Sequence, residues 1–365
     1  MSTMSPLHER FAAQGAVFED RNGYDIAVRT IGNKEEADAI RNGIGVWDAS
    51  DLGKIMVRGG AARELLDRTL TGDIEGLYEN AIRYTLLLDE DGRIVADVQV
   101  YNNFDEFMVT CSAGSKARVL KALEANNSGG AEITDASDKQ AVICIEGPKA
   151  WQVPQKLAGL DVRSLRLLTF TECEISGAKV LLARIGYCGE YGYTLFVPRE
   201  AALAVLDTVL ERAPEAVPCG RDVQDLLRLE VRSFNLEKDI PNGESPLQAG
   251  LHWMIHFRKS EFVGREAIMR EKQLGVTQKL VAFEVLAENS QFSSSDIRDG
   301  ADVIGRIVNF AYSERRGRPI GLAYLAEAYG WPGVDLLIHS ENGEIPIHTV
   351  SAPFIHTESN RIQIS

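Results

Sequence analysis

Tyr84-Thr85-Leu86-Leu87-Leu88-Asp89-Glu90-Asp91-Gly92, followed by Ile94-Val95-Ala96-Asp97-Val98-Gln99-Val100-Tyr101, decides the fold. Two strand-forming runs flank a Glu-Asp-Gly turn, which predicts a β-hairpin. Phe107-Met108-Val109-Thr110-Cys111 supplies a third strand, and residues 115–125 predict a helix. Upstream, Ile55-Met56-Val57-Arg58 reads as a strand ending at Gly59-Gly60, and residues 61–70 place Leu65, Leu66 and Leu70 at helical spacing. Residues 35–42 predict a short helix. Hairpins interleaved with helices predict an α+β arrangement, an antiparallel sheet carrying helices on one face. The pattern recurs from Val180, where strands 180–184 and 193–197 surround the turn-rich stretch 186–192, and helices 200–211 and 222–233 follow. Past about Gly275 the character changes. Short strands at 279–285, 303–310, 320–325, 336–338 and 345–347 predict a small β-barrel or Greek-key unit. The polar stretch 289–296 inside it reads as a solvated surface loop.

The length of 365 residues allows two or three domains with substantial cores. A formal net charge of -14 sets long-range electrostatics against nucleic acid and anionic membranes, so neither is an expected partner. Any anionic ligand then needs local arginines. No apolar run has the length of a membrane span, and the first residues lack the basic start and apolar stretch of a signal peptide, so a cytoplasmic location is expected. The five cysteines form no C-x-x-C pair and are odd in number, which points to free thiols. His252 and His256 have the spacing of a helical metal pair, but no Glu stands beside either and no third ligand lies near. A structural pair is the reading taken, and no metal is expected. Dinucleotide, P-loop and Gly-x-Ser-x-Gly motifs are missing from the sequence.

Asp97 is the residue that stands out, and by the strand pattern alone it reads as an exposed or edge-strand acid. It stands mid-strand in an apolar alternating run and shares a face with Val95 and Gln99. A carboxylate there is either exposed at an edge or held by a partner, because burying it alone is costly.

Further short motifs follow the hairpin in a fixed order. Gly45-Val46-Trp47-Asp48-Ala49-Ser50 precedes it. Glu146-Gly147-Pro148-Lys149-Ala150, Gly186-Tyr187-Cys188-Gly189-Glu190, Leu227-Arg228-Leu229-Glu230 and Ser245-Pro246-Leu247-Gln248-Ala249-Gly250-Leu251 come after. In this order the chain resembles the aminomethyltransferase family, the T-protein of glycine cleavage and its tetrahydrofolate-dependent demethylase relatives. The resemblance implies a three-domain T-protein-like cloverleaf: two mixed α/β domains built on antiparallel sheets, and a C-terminal β-barrel. Residues 1–52 with 137–272 would form a discontinuous central domain, 53–136 the second, and 273–365 the barrel.

The resemblance also implies an activity. The leading expectation is a demethylase-like transfer of a methyl or methylene unit from a small methylated or aminomethyl donor to tetrahydrofolate. The alternatives are the glycine-cleavage aminomethyltransferase, served by a lipoyl carrier protein, and a folate-independent enzyme on the same scaffold. A folate-sensing relative is disfavoured, because residues 236–244 lack the cysteine of its signature.

By resemblance, Asp97 is the catalytic acid, with Ala96 in place of a second acid common in the family. Tyr84 and Tyr187 would line the folate pocket. Cys111 or Ser112 stands where the family has an Asn. The family's pterin-binding Glu is Thr194 here. Either Glu190 takes over, or the ligand binds differently, or the ligand is not folate. Arg228 would clamp the folate's carboxylate end. The Arg that usually precedes Asp225 is Gln224, with Arg221 and Arg232 near enough to compensate, and the family's His after Asp-Val-Ser is Asp51. The basic stretch 314–318 reads as a solvated turn, which the resemblance places near the border of the cavity.

Overall fold

The computed structural model describes residues 2–104, 106–159, 161–287, 295–340 and 343–364. Residues 289–294 of the expected polar loop lie outside the described residues.

The hairpin sits in a five-stranded sheet, ordered Ile82–Leu88, Ile94–Asn103, Glu106–Cys111, Gly53–Arg58, Glu132–Asp135, with every pair antiparallel. Gly92, at φ +75°, closes the turn by donating to the Asp89 carbonyl. Ala96, Val98 and Val100 pack with Leu65 and Leu66 of the helix Ala62–Thr69, and with Val119 and Leu123 of the helix Lys116–Asn126. Alternation then sends Asp97 and Gln99 to the opposite, half-buried face, whereas a bulge at Val95 turns that side chain onto the helix-side core instead of the Asp97 face expected for it. The Asp97 strand is flanked on both sides, so the edge-strand reading of this residue falls.

A second sheet of six strands runs Thr169–Ile175, Ala178–Arg184, Gly192–Pro198, Gln140–Glu146, Ile44–Asp48, Ala216–Pro218. Its last pair is parallel and the others antiparallel. Ile143, Ile145, Tyr193, Leu195 and Val197 face the helix Ala202–Arg212 and form one core. Cys144, Glu146 and Thr194 therefore point the other way. Beyond it, Gln278–Val285, Arg318–Ala326, Asp302–Ser313, Asp296–Asp299, Asp335–Ser340 and Gly343–Val350 close into a six-stranded barrel, which removes open sheet edges.

A small sheet of Thr3–Met4, Tyr24–Arg29 and Val17–Arg21 was not expected from the sequence. Its turn is Asn22-Gly23, with φ +55° and +81°, the positive pair that an Asn-Gly hairpin turn requires, so the signal was there to be taken.

The helix Arg221–Val231 joins these parts. It packs against the helix Asn33–Asn42, the strand Tyr24–Arg29 and the barrel strand Asp302–Ser313. Its start needs glycine, because a Cβ on Gly220 would lie 2.1 Å from the Val28 carbonyl carbon. His252–Met254 is a single 3-10 turn, so the helical spacing read between His252 and His256 does not exist.

Candidate functional site

A cavity of ≈ 750 Å³ opens between the two large sheets and the segment that follows the helix Arg221–Val231. That volume suits a small molecule or cofactor. Three walls build it. The five-stranded sheet contributes Tyr84, Asp97, Gln99 and Cys111, and the six-stranded sheet contributes Cys144, Glu146, Thr194 and Phe196. The third wall brings Arg221, Gln224, Asp225, Arg232, Asp239 and Trp253.

Asp97 and Tyr84 sit diagonally on adjacent strands, since Asp97 is opposite Leu86 and Tyr84 opposite Gln99. The Tyr84 hydroxyl donates to Asp97 Oδ2 at 2.6 Å. Burial raises the Asp97 carboxyl above the usual carboxylate range, while the Tyr84 bond pulls against it. Burial, and then the Asp97 charge, hold the Tyr84 phenol well above its ordinary value, so it stays a donor. Trp253 lies 6.1 Å from the Tyr84 ring and is 61% exposed, which places an aromatic at the cavity's mouth.

Glu146 organises the second wall. Its two oxygens accept the Tyr187 and Cys188 backbone N–H groups, each at 2.8 Å. The Tyr187 hydroxyl donates to the Phe234 carbonyl at 2.6 Å, so the Gly186–Gly189 turn is pinned at both ends. Gly192 has to be glycine, since a Cβ there would approach Gly186 Cα to 2.3 Å. Burial pushes the Glu146 carboxyl up to about 7. Cys111 and Cys144 line the cavity as thiols, each pushed up to about 12 by burial, and Cys144 Sγ lies 3.7 Å from Thr194 Oγ1. These two are wall material rather than nucleophiles.

The Glu146 shift has a consequence for stability. Its folded value lies above the ordinary 4.5, so between pH 4.5 and about 7 the folded state holds more protons than the unfolded. Stability from this group is therefore greatest below pH 4.5, falls as pH rises through that window, and stays lower above it. Urea midpoints measured from pH 5 to 8 should fall in wild type and fall less in Glu146→Gln. Parallel profiles for the two proteins would remove the assignment.

Two expected site residues are placed elsewhere. Glu190 is 7% exposed and absent from the cavity wall. Its Oε1 accepts from Arg41 Nη1 at 3.1 Å, and its Oε2 accepts from the Ser359 N–H and hydroxyl at 3.0 and 2.6 Å. Its carboxylate is turned into the fold, away from the cavity wall where Thr194 stands. Arg228 is fully buried. It shares a helix face with Arg221, Gln224 and Asp225, but the short helix Leu236–Asp239 folds across it, and Asp239 Oδ2 accepts from its Nη1 at 2.6 Å. Asp239, not Arg228, is what the cavity meets. Arg316 and Arg318 pair with Glu284, and Arg315 bonds Asn42, so the basic turn does not border the cavity.

Glu146 and Trp253 had been passed over as functional residues. The alternation of Gln140–Glu146, which puts Cys144 and Glu146 on one face, was the available signal for the first. Among the described residues no group of three or more His, Cys, Asp or Glu is placed to hold a metal ion, and no helix is long and apolar enough to cross a membrane.

Two sheet-and-helix units that frame a cavity with a half-buried carboxylate–phenol pair, together with a closed barrel, define the T-protein-like class of transferases. The GCVT N-terminal domain model matches residues 7–259, and the glycine cleavage T-protein C-terminal barrel domain model matches residues 278–356. An aminomethyltransferase of Halothermothrix orenii is 30% identical over 96% of this chain and 99% of its own length. One of Rubrobacter xylanophilus is 30% identical over 98% and 95%. The crystal structure of glycine cleavage system aminomethyltransferase T from Bartonella henselae superposes with a TM-score of 0.90 at 23% identity, covering 97% of this chain and 98% of that one. The chain belongs to the glycine cleavage T-protein family of aminomethyltransferases.

Proposed function

We propose that this chain transfers a one-carbon unit from an aminomethyl donor to tetrahydrofolate. The observation that carries the reading is the Asp97–Tyr84 pair inside the cavity. The curated relatives favour the aminomethyl reaction over a demethylase-like one, since those compared bear the name aminomethyltransferase over nearly the whole chain. A lipoyl carrier protein is then the natural donor partner.

The cavity fits a reduced pterin. Tyr84, Tyr187 and Trp253 offer aromatic surface along the wall. Glu146 lies on the same sheet face as Thr194 and, beyond its two backbone bonds and the Cys188 thiol, keeps acceptor capacity for a donor of the ring. Bound tetrahydrofolate supplies N5, the nucleophile that accepts the one-carbon unit. Asp97 holds the positive charge of the donor's amine against the cavity wall. Tyr84 fixes the carboxylate's orientation, and Trp253 shields the mouth from water.

A demethylase-like reaction remains the second reading. Thr194 favours it, because a changed wall suits a changed donor. Carbon-13-labelled donors separate the two. With tetrahydrofolate, an aminomethylated lipoyl carrier should give labelled 5,10-methylene-tetrahydrofolate and ammonia. Labelled 5-methyl-tetrahydrofolate from a small N- or S-methyl donor supports the second reading, and no labelled folate from either overturns both.

A further inference from the structure

Arg232 ends the helix Arg221–Val231 in the left-handed region, at φ +62°. A side chain with a Cβ is strained there, and glycine adopts the conformation freely. Strain of this kind persists where function holds it in place. The Arg232 side chain lines the cavity. Its Nη2 donates to the Ala249 carbonyl at 3.1 Å. Among the described residues no carboxylate pairs with it at ion-pair distance, whereas the other cations of the wall are matched. Arg21 is held by Asp222 at 2.6 Å, Arg221 by Asp51 at 3.2 Å, and Lys238 by Asp225 at 2.7 Å. The nearby Asp239 is taken by Arg228. Burial lowers the Arg232 guanidinium below the ordinary arginine value, against the opposing pull of Asp239. Asp239 acts electrostatically on both Asp97 and Arg232, so the two stand in one neighbourhood of the cavity.

We propose that Arg232 is the anion-binding residue of this cavity and holds a carboxylate of the bound ligand. The inference deepens the one-carbon-transfer reading and rests on it for the identity of the ligand. A small substrate suited to the pair carries a cationic nitrogen or sulfur, which faces Asp97, and a carboxylate, which Arg232 receives through its fork of N–H donors. The glutamyl tail of a folate offers the same carboxylate chemistry from a second source.

The test is binding by calorimetry to full-length wild type, Arg232→Gly and Arg232→Lys. The probes are trimethylammonioacetate, its neutral-tailed amide, tetrahydrofolate and the tail-less 6-methyltetrahydropterin. Arg232→Gly should weaken a carboxylate probe by about 10- to 100-fold, the worth of a charge-assisted contact, and leave its uncharged counterpart unchanged. Arg232→Lys should recover part of the loss. Selective loss of trimethylammonioacetate over its amide identifies a donor carboxylate, and selective loss of tetrahydrofolate over 6-methyltetrahydropterin identifies the folate tail. The melting temperature of Arg232→Gly should hold or rise, because the left-handed strain is relieved. Equal affinity of wild type and Arg232→Gly for all four probes overturns the proposal. A lowered melting temperature with equal losses for charged and uncharged probes does so too, since that is a structural role. The readout is binding, so it stands apart from the labelled-donor experiment: one-carbon transfer can fail while carboxylate selectivity at Arg232 persists.

Discussion

Arg41→Met should lower the unfolding free energy by about 3–5 kcal/mol, the cost of leaving buried charge uncompensated. Arg41 lies on the helix Asn33–Asn42 and is 2% exposed. Its Nε and Nη2 donate to Glu230 Oε2 at 3.1 and 2.9 Å, its Nη1 to Glu190 and the Cys188 carbonyl at 3.1 and 2.7 Å, and its Nη2 to the Leu227 carbonyl at 3.0 Å. Methionine fills similar volume but strands two buried carboxylates. Ser359 still donates to Glu190 and Ser313 to Glu230, which is too little to offset the missing cation. Urea unfolding at pH 7 measures the loss. Adding Glu230→Gln to Arg41→Met should recover part of it, because the two residues share one network. A loss below about 1 kcal/mol would place the pair among ion pairs of little consequence.

Asp97→Asn should reduce turnover by about 10²- to 10⁴-fold, the range lost with a positioned acid–base or electrostatic group. Stability should change little. An asparagine carbonyl still accepts from the Tyr84 hydroxyl, and the substitution removes a carboxylate whose burial already disfavours its charge. The raised Asp97 value also sets a pH signature. The ionised form holds the donor's cation, so wild-type turnover should climb as pH passes upward through that value, and the climb should vanish in Asp97→Asn. An Asn variant with wild-type turnover would end the role given to Asp97.

The parts of the site that could be read in advance rest on short-range rules. Alternation in the strand Ile94–Asn103 put Asp97 on the face away from Ala96 and Val98, and the sheet's geometry turned that face toward the cavity. The Asp-Gly turn fixed the hairpin register through one glycine. Thr194, Tyr187 and Cys111 reached the wall for the same reason, each being set by a strand or a pinned turn. Glu190 and Arg228 lie off the wall for a different reason. Each is a charged residue whose partner is fixed by packing. Glu190 meets Arg41 and Ser359 across the fold, and Arg228 meets Asp239 only because a later helix folds over it. No local pattern carries that information. The N-terminal sheet was missed despite its Asn-Gly turn because two of its three strands, Thr3–Met4 and Val17–Arg21, are short and largely exposed.

The helix Arg221–Val231 is a shared axle. One end abuts the N-terminal sheet, its flank the helix of Arg41, and its far end the barrel, where Ser313 donates to Glu230. It also carries Arg221, Gln224 and Asp225 into the cavity wall. The barrel, the N-terminal sheet and the Arg41 helix are therefore coupled through the same eleven residues, and loosening one withdraws support from the others and from the cavity wall the helix carries.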